Sequence, residues 1–209
     1  MTTQKRTTCA IEGCYLPRHS WSTYCATHTS RSQYHGHPGL RSGVRESDLK
    51  PYAHRIERMM ALYGNNRATQ VALQIAEEIL NYKPQYDRTT EREVSRMMQM
   101  ARDEGTTPMA LLRRVCLHFF YLCDHPGRCK GSAHAEDMQL ARIVMRLVPL
   151  QKSGKRWAAV PLRRLGSVCR ESLYKFAHSM HKREQMDADK QHDRQRALMD
   201  FDAPAEGIA

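Results

Sequence analysis

From residue 48 onward, apolar and polar positions recur with the helical period, and the pattern resolves into six segments. Asp48 reads as an N-cap with Pro51 in the first turn; Ile56, Met59, Met60 and Tyr63 then share one face until Gly64-Asn65-Asn66 closes the segment. Val71, Leu73, Ile75, Ile79 and Leu80 carry a second helix to about Tyr82. Thr90 with Glu93 reads as a capping box for a third, which runs through Val94, Met97, Met98 and Ala101 to Gly105. Thr107-Pro108 opens a fourth with Leu111, Leu112, Val115, Phe119 and Leu122 inward, and Ser132 opens a fifth carrying Met138, Ala141, Met145 and Val148. The last runs from about Pro161 past Tyr174, Phe176 and Met180. Each apolar stripe must be buried against its neighbours, so the expected fold is mainly α: a helical bundle.

Two stretches break the period. Residues 150–160 place Ser153-Gly154 between Lys152 and Lys155-Arg156, with short apolar runs on both sides. That pattern predicts a β-hairpin near 148–161 with a basic tip and Trp157 as its hydrophobic anchor. A helix-turn-helix over Met100 to Arg114 is disfavoured, because Glu104 falls where that motif buries a side chain. The second break is the amino-terminal stretch, which has no core pattern at all. Residues 1–38 are expected to form a small metal-built finger, 39–47 a polar linker, 48–183 the helical domain, and 184–209 an acidic tail, disordered or a frayed helix.

Within residues 1–38 stand Cys9, Cys14, Cys25 and His28, as Cys-Ala-Ile-Glu-Gly-Cys, a ten-residue loop, and Cys-Ala-Thr-His. Zinc takes four such soft or borderline ligands in a tetrahedron. Disulfides fit less well: the cysteine count is seven, one ligand is a histidine, and the polar, basic residues 1–8 predict no secretory leader and hence a reducing compartment. The surrounding residues are too polar to bury a core, and zinc supplies such a peptide with on the order of 10 kcal/mol of folding energy. A site closed by four protein ligands is structural and not catalytic. Cys123, His125, Cys129 and His134 are a weaker second candidate, since no pair sits at a Cys-x-x-Cys step.

The stretch Cys9-Ala-Ile-Glu-Gly-Cys14, Pro17, Cys25-Ala-Thr-His28 and Arg31-Ser-Gln-Tyr-His-Gly-His-Pro38 resembles the short Cys-x4-Cys-x10-Cys-x2-His finger of bacteriophage and mobile-element proteins. The resemblance covers about thirty residues. It implies a nucleic-acid partner in a bacterial cytoplasm, with Arg18, Arg31, Tyr34 and His35 carried by the finger to phosphate or to a neighbouring subunit. Some members of that family are HNH-type nucleases. His35-Gly-His37 is the one candidate base pair for such chemistry, and it lacks a downstream Asn or His at the right spacing.

Charge strengthens the nucleic-acid reading. Lys and Arg number 33 against 22 Asp and Glu, giving +11, with a sequence pI near 9.5. Residues 150–183 carry nine bases and one acid, whereas 184–209 carry three bases and seven acids. Lys152, Lys155, Arg156, Arg163, Arg164 and Arg170 are therefore the expected phosphate contacts. A mean hydropathy of −0.68 and the lack of an apolar run near 18 residues exclude a membrane span, and no membrane partner is expected. No phosphate-cradling Gly-rich loop or nucleophile elbow suggests a small-molecule substrate. The sequence thus predicts a non-enzymatic, zinc-containing nucleic-acid-binding protein, gripping duplex DNA in preference to RNA. The alternatives are a DNA-recognising subunit of an RNA-guided, CRISPR-type or transposition complex, and an HNH-like nuclease.

Overall fold

The computed structural model describes residues 8–84, 88–148 and 157–201. Among them lie helices α1 (Ala26–His35), α2 (Glu46–Tyr63), α3 (Arg67–Leu80), α4 (Thr89–Asp103), α5 (Pro108–Asp124), α6 (Ala133–Val144) and α7 (Ala159–Phe201), with a 3-10 turn, Met145–Leu147, ending α6. The mainly helical expectation holds. Lys152, Lys155 and Arg156, with most of the expected hairpin, lie outside the described residues. The part of the hairpin's second arm that is described is not a strand: α7 has begun by Ala159. Ala, Leu and Arg around Pro161 favour helix, and a proline in the first helical turn forfeits no hydrogen bond. Trp157, just before α7, packs against the main core.

Helices α5 and α7 form the middle of the bundle. α5 packs on α2, α3, α6 and α7, while α7 also packs on α3, α4 and α6. Ile56 and Met59, Met97 and Met98, Leu111 and Leu112, Phe120, Leu140, Ile143, Leu165 and Leu173 are fully buried where these helices meet. Two details differ from the periodic reading. Phe119 is only partly buried and Phe120 takes the core position. Val71 is exposed, because α3 turns Ala72 and Ala76 inward and approaches closely on small side chains. α6 and α7 also approach closely: a Cβ on Gly166 would lie 1.9 Å from the Asp137 carbonyl oxygen.

Helix ends follow local chemistry. Thr107 accepts from the Ala110 N–H at 3.2 Å, with Pro108 opening α5. Ser132 accepts from the Ala135 N–H at 3.3 Å. α2 starts earlier than expected, at Glu46: the Asp48 carboxylate sits in the first turn and accepts from the Arg45 N–H at 2.8 Å. The Thr90/Glu93 capping box does not form. α4 begins at Thr89, so Thr90 lies inside it and Glu93 pairs with Arg96 at 3.6 Å.

The finger rests on the body. Gly36 ends α1 with φ 76°, and the αL conformation suits a residue without a Cβ. A Cβ there would also meet the His134 carbonyl oxygen at 2.5 Å. The polar stretch 39–47 is tied down: Leu40 and Val44 are buried, and the Val44 N–H donates to Gln139 Oε1 at 2.8 Å. Arg128 donates to the Ser42 and Gly43 carbonyls at 3.3 and 3.0 Å. The acidic tail is also anchored at its start. Glu184, 5% exposed, pairs with Arg55 at 2.8 Å, and Asp187 accepts from the Tyr63 hydroxyl at 2.7 Å. α7 continues to Phe201, with residues 188–196 exposed.

Candidate metal centre and the cleft beside it

Three short segments assemble the finger ahead of α1. Cys9 N–H donates to the Leu16 carbonyl at 2.9 Å, Ala10 N–H to that of Thr23 at 3.1 Å, and Thr8 bridges Pro17. Between them Gly13 adopts φ 74° and the Cys14 N–H closes on the Ile11 carbonyl at 3.0 Å, a tight knuckle that turns Cys14 back towards Cys9. Cys25 is the N-cap residue of α1 and His28 lies in its first turn, so the helix fixes their spacing.

The donor atoms of Cys9, Cys14, Cys25 and His28 all lie within 4.8 Å of one another, and can hold a metal ion. His28 Nδ1 is 3.4 Å from the Cys9 sulfur and 3.3 Å from that of Cys25, while the Cys14 and Cys25 sulfurs are 3.9 Å apart. Cys9 and Cys25 are buried, and no carboxylate joins the group. Burial raises the Cys9 thiol, but the Cys25 and Ile11 amides and the His28 and Cys14 side chains outweigh it and bring the pKa down to about 6. The Leu16 amide favours the Cys14 thiolate, yet burial and the neighbouring sulfurs push that thiol up. The Cys9 thiol is thus poised to ionise, and a bound cation would favour the Cys14 thiolate beside it.

Beside this centre a cleft of about 600 Å³ runs between finger and body. Arg31 from α1, Arg41 from the tied-down segment and Lys130 from the loop before α6 line it, opposite Glu12, with Tyr15 and Leu16 at its finger wall. None of the three cations makes an ion pair within the described residues. Lys130 holds φ 52°, uncommon for a residue with a Cβ. Arg31 Nη1 lies 3.3 Å from His28 Nε2. With Nδ1 on a metal, the ring proton sits on Nε2, so Arg31 then faces a donor and is available to an anion.

The expected contact residues are dispersed. Arg18 Nε donates to the Ser22 carbonyl at 2.9 Å and so braces the finger loop. The Tyr34 ring lies under the Arg142 guanidinium, 5.2 Å away, as part of the finger–body seam. His35 is half-buried with Nδ1 unpartnered among the described residues; desolvation, then Arg142, Arg128 and Arg31, lower its pKa and keep it neutral at physiological pH. His37 Nδ1 accepts from the Gly39 N–H at 3.0 Å. On α7, Arg163 is exposed and makes no ion pair among the described residues, whereas Arg164 pairs with Glu91 at 3.0 Å and Arg170 with Asp137 at 2.6 Å. Arg163 and Arg164 border a second cleft, about 490 Å³, whose charge is mixed by Glu91 and Asp137.

Cys123, His125, Cys129 and His134 do not form a metal-ligand group; the Cys9 cluster is the one such group among the described residues. Cys129 is buried with Leu40 and Ala135, while Cys123 is exposed. The periodicity reading missed Arg41, Lys130 and Tyr15. Tyr15 adjoins a metal ligand and was visible as an aromatic in a finger without a core, but Lys130 reaches the cleft only through the tertiary fold. No family model, curated protein or solved structure matches this chain. No helix among the described residues is long and apolar enough to cross a membrane.

Proposed function

We propose that this chain is a non-enzymatic nucleic-acid-binding protein, with DNA as its polymer, built around a structural zinc finger of the kind seen in phage and mobile-element proteins. The donor set supports zinc. A tetrahedron with Zn–S near 2.3 Å and Zn–N near 2.0–2.1 Å has S–S edges of about 3.8 Å and S–N edges of about 3.6 Å. The observed 3.9 Å and 3.3–3.4 Å separations need only tenths of an ångström of adjustment. Cys9, Cys14, Cys25 and His28 would hold the ion, which orders the loop and leaves no coordination position for a substrate.

The cleft carries the binding reading. Arg31, Arg41 and Lys130 converge there with Glu12 as the one acid lining the cleft and no ion pair among the described residues, in a chain of net charge +11. Phosphates would supply the missing counter-charge and release condensed cations on binding. The same comparison demotes Arg164 and Arg170, whose charges Glu91 and Asp137 already neutralise. Fluorescence anisotropy with labelled DNA oligonucleotides over a range of salt tests the proposal. Affinity should fall linearly on a log–log salt plot; no binding to any DNA or RNA at low salt would refute it.

A further inference from the structure

The finger exposes side chains that a polar knuckle has no structural need for. Trp21 is 98% exposed, Tyr15 89% and Leu16 55%, all in the 16-residue span from Cys9 to Tyr24 that the ligands order. Exposed tryptophan is costly to solvate and, when concentrated on a small rigid module, marks a contact surface. Tyr15 and Leu16 form the finger wall of the cleft whose other lining includes Arg31, Arg41 and Lys130. The metal ligands Cys14 and Cys25 flank the loop that bears Tyr15 and Trp21, so both rings are held on an ordered backbone.

We infer that the finger and the cleft beside it bind a single-stranded polynucleotide, with unpaired bases stacked on Tyr15 at the cleft wall and on the exposed Trp21 of the same loop, and the backbone phosphates in the Arg31, Arg41, Lys130 cleft. The inference rests on the nucleic-acid reading and specifies its ligand. A duplex keeps its base faces inside the stack, where exposed rings cannot reach them, whereas a single strand offers alternating π-faces and phosphates. The cations exclude an ordinary apolar protein partner as the best fit: three positive charges, none in an ion pair among the described residues, line the cleft with Tyr15, against Glu12 alone. A cleft of about 600 Å³ has room for a nucleotide or more. The stacking is sequence-tolerant, since every base has a π-face.

The test uses the full-length, metal-loaded protein with single-stranded DNA, single-stranded RNA and duplex DNA of one length and sequence at one salt concentration. Intrinsic fluorescence should be quenched by the single strands, and the quenching should vanish in Trp21→Phe, because the chain's other tryptophan, Trp157, packs against the core. Tyr15→Ala and Trp21→Ala should each weaken single-strand binding by about tenfold or more and leave duplex binding within about twofold. Metal content by elemental analysis, unchanged in each variant, shows that the finger still folds. Tighter binding of either single strand supports the inference, and the DNA–RNA comparison identifies which polymer is preferred. Duplex binding as tight as single-strand binding, or unchanged affinity in both aromatic variants, overturns it while leaving the nucleic-acid reading in place. Failure to bind any of the three removes both.

Discussion

Gly166→Ala should be among the most damaging single-methyl additions in this protein. Gly166 lies in the first third of α7, where it crosses α6, and an added Cβ would stand 1.9 Å from the Asp137 carbonyl oxygen and 2.4 Å from its carbon. Ordinary contact is 3.4 Å or more, and both atoms are backbone, so no rotamer change relieves the clash. The two helices must separate locally by about 1.5 Å, and a gap of even 0.5–1 Å forfeits a quarter to a half of each dispersion contact. Leu165 and Cys169 on α7, with Leu140 and Ala141 on α6, are fully buried nearby and would lose those contacts. Overpacking of this kind costs about 1–3 kcal/mol and more when backbone must move. Alanine's higher helix propensity returns about 1 kcal/mol. Because backbone must move here, the upper end of that cost applies and a net loss of about 2 kcal/mol or more follows, equivalent to a Tm decrease of at least roughly 4–8 °C for a chain of this size. Urea unfolding followed by far-UV circular dichroism measures it. Gly127→Ala is the matched control: nothing lies within 4 Å of its added Cβ, so it should change stability by less than about 0.5 kcal/mol. A Gly166→Ala protein as stable as the parent, or more stable, would show that α6 and α7 do not meet at this glycine.

Gly36→Ala combines a strained αL backbone with a Cβ 2.5 Å from the His134 carbonyl oxygen, so it should loosen the finger from the body and raise protease cleavage within residues 36–45; unchanged cleavage would contradict the docking. Full burial lowers the His118 pKa to about 3, so the unfolded chain binds an extra proton between about 3 and 6.5, and stability present above pH 6.5 should be lost as pH falls through that window. Urea midpoints at pH 7 and pH 5 should differ less in His118→Leu than in the parent; an equal difference would remove His118 as a cause. Glu184→Ala deprives Arg55 of a carboxylate that accepts at 2.8 and 2.9 Å, and should cost about 1–3 kcal/mol by thermal denaturation, which a freely frayed tail would not show. Cys14→Ser should abolish stoichiometric metal binding and finger order while the bundle still unfolds cooperatively, because its core draws on none of the finger's side chains.

The sequence displayed the bundle because its long helices have periodic stripes and strong end signals: Thr107-Pro108 and Ser132 cap where their chemistry says they should. It displayed the metal ligands because four residues close in sequence are enough to define them. It misjudged what depends on distant partners. Arg164 and Arg170 read as free cations on a basic stretch, yet Glu91 and Asp137 come from other helices to neutralise them. Glu184 read as part of a solvated acidic tail and is instead buried against Arg55 of α2. The stretch 39–47 read as a linker because its composition is polar, although Gln139 of α6 and Arg128 of the loop before it hydrogen-bond its Ser42, Gly43 and Val44 backbone. Charge density along the sequence thus located the basic residues but not which of them acids from other helices neutralise.

The salt dependence of nucleic-acid affinity, compared between the parent and an Arg41→Glu/Lys130→Glu protein, tests the central claim most directly. Three cleft cations on a single strand predict a log–log slope of about −2, each contributing about 0.7. The double variant, with metal content and circular dichroism unchanged, should bind at least tenfold more weakly with a slope shallower by more than about 1. Equal affinity and an equal slope in the two proteins would place the binding surface elsewhere and contradict the account.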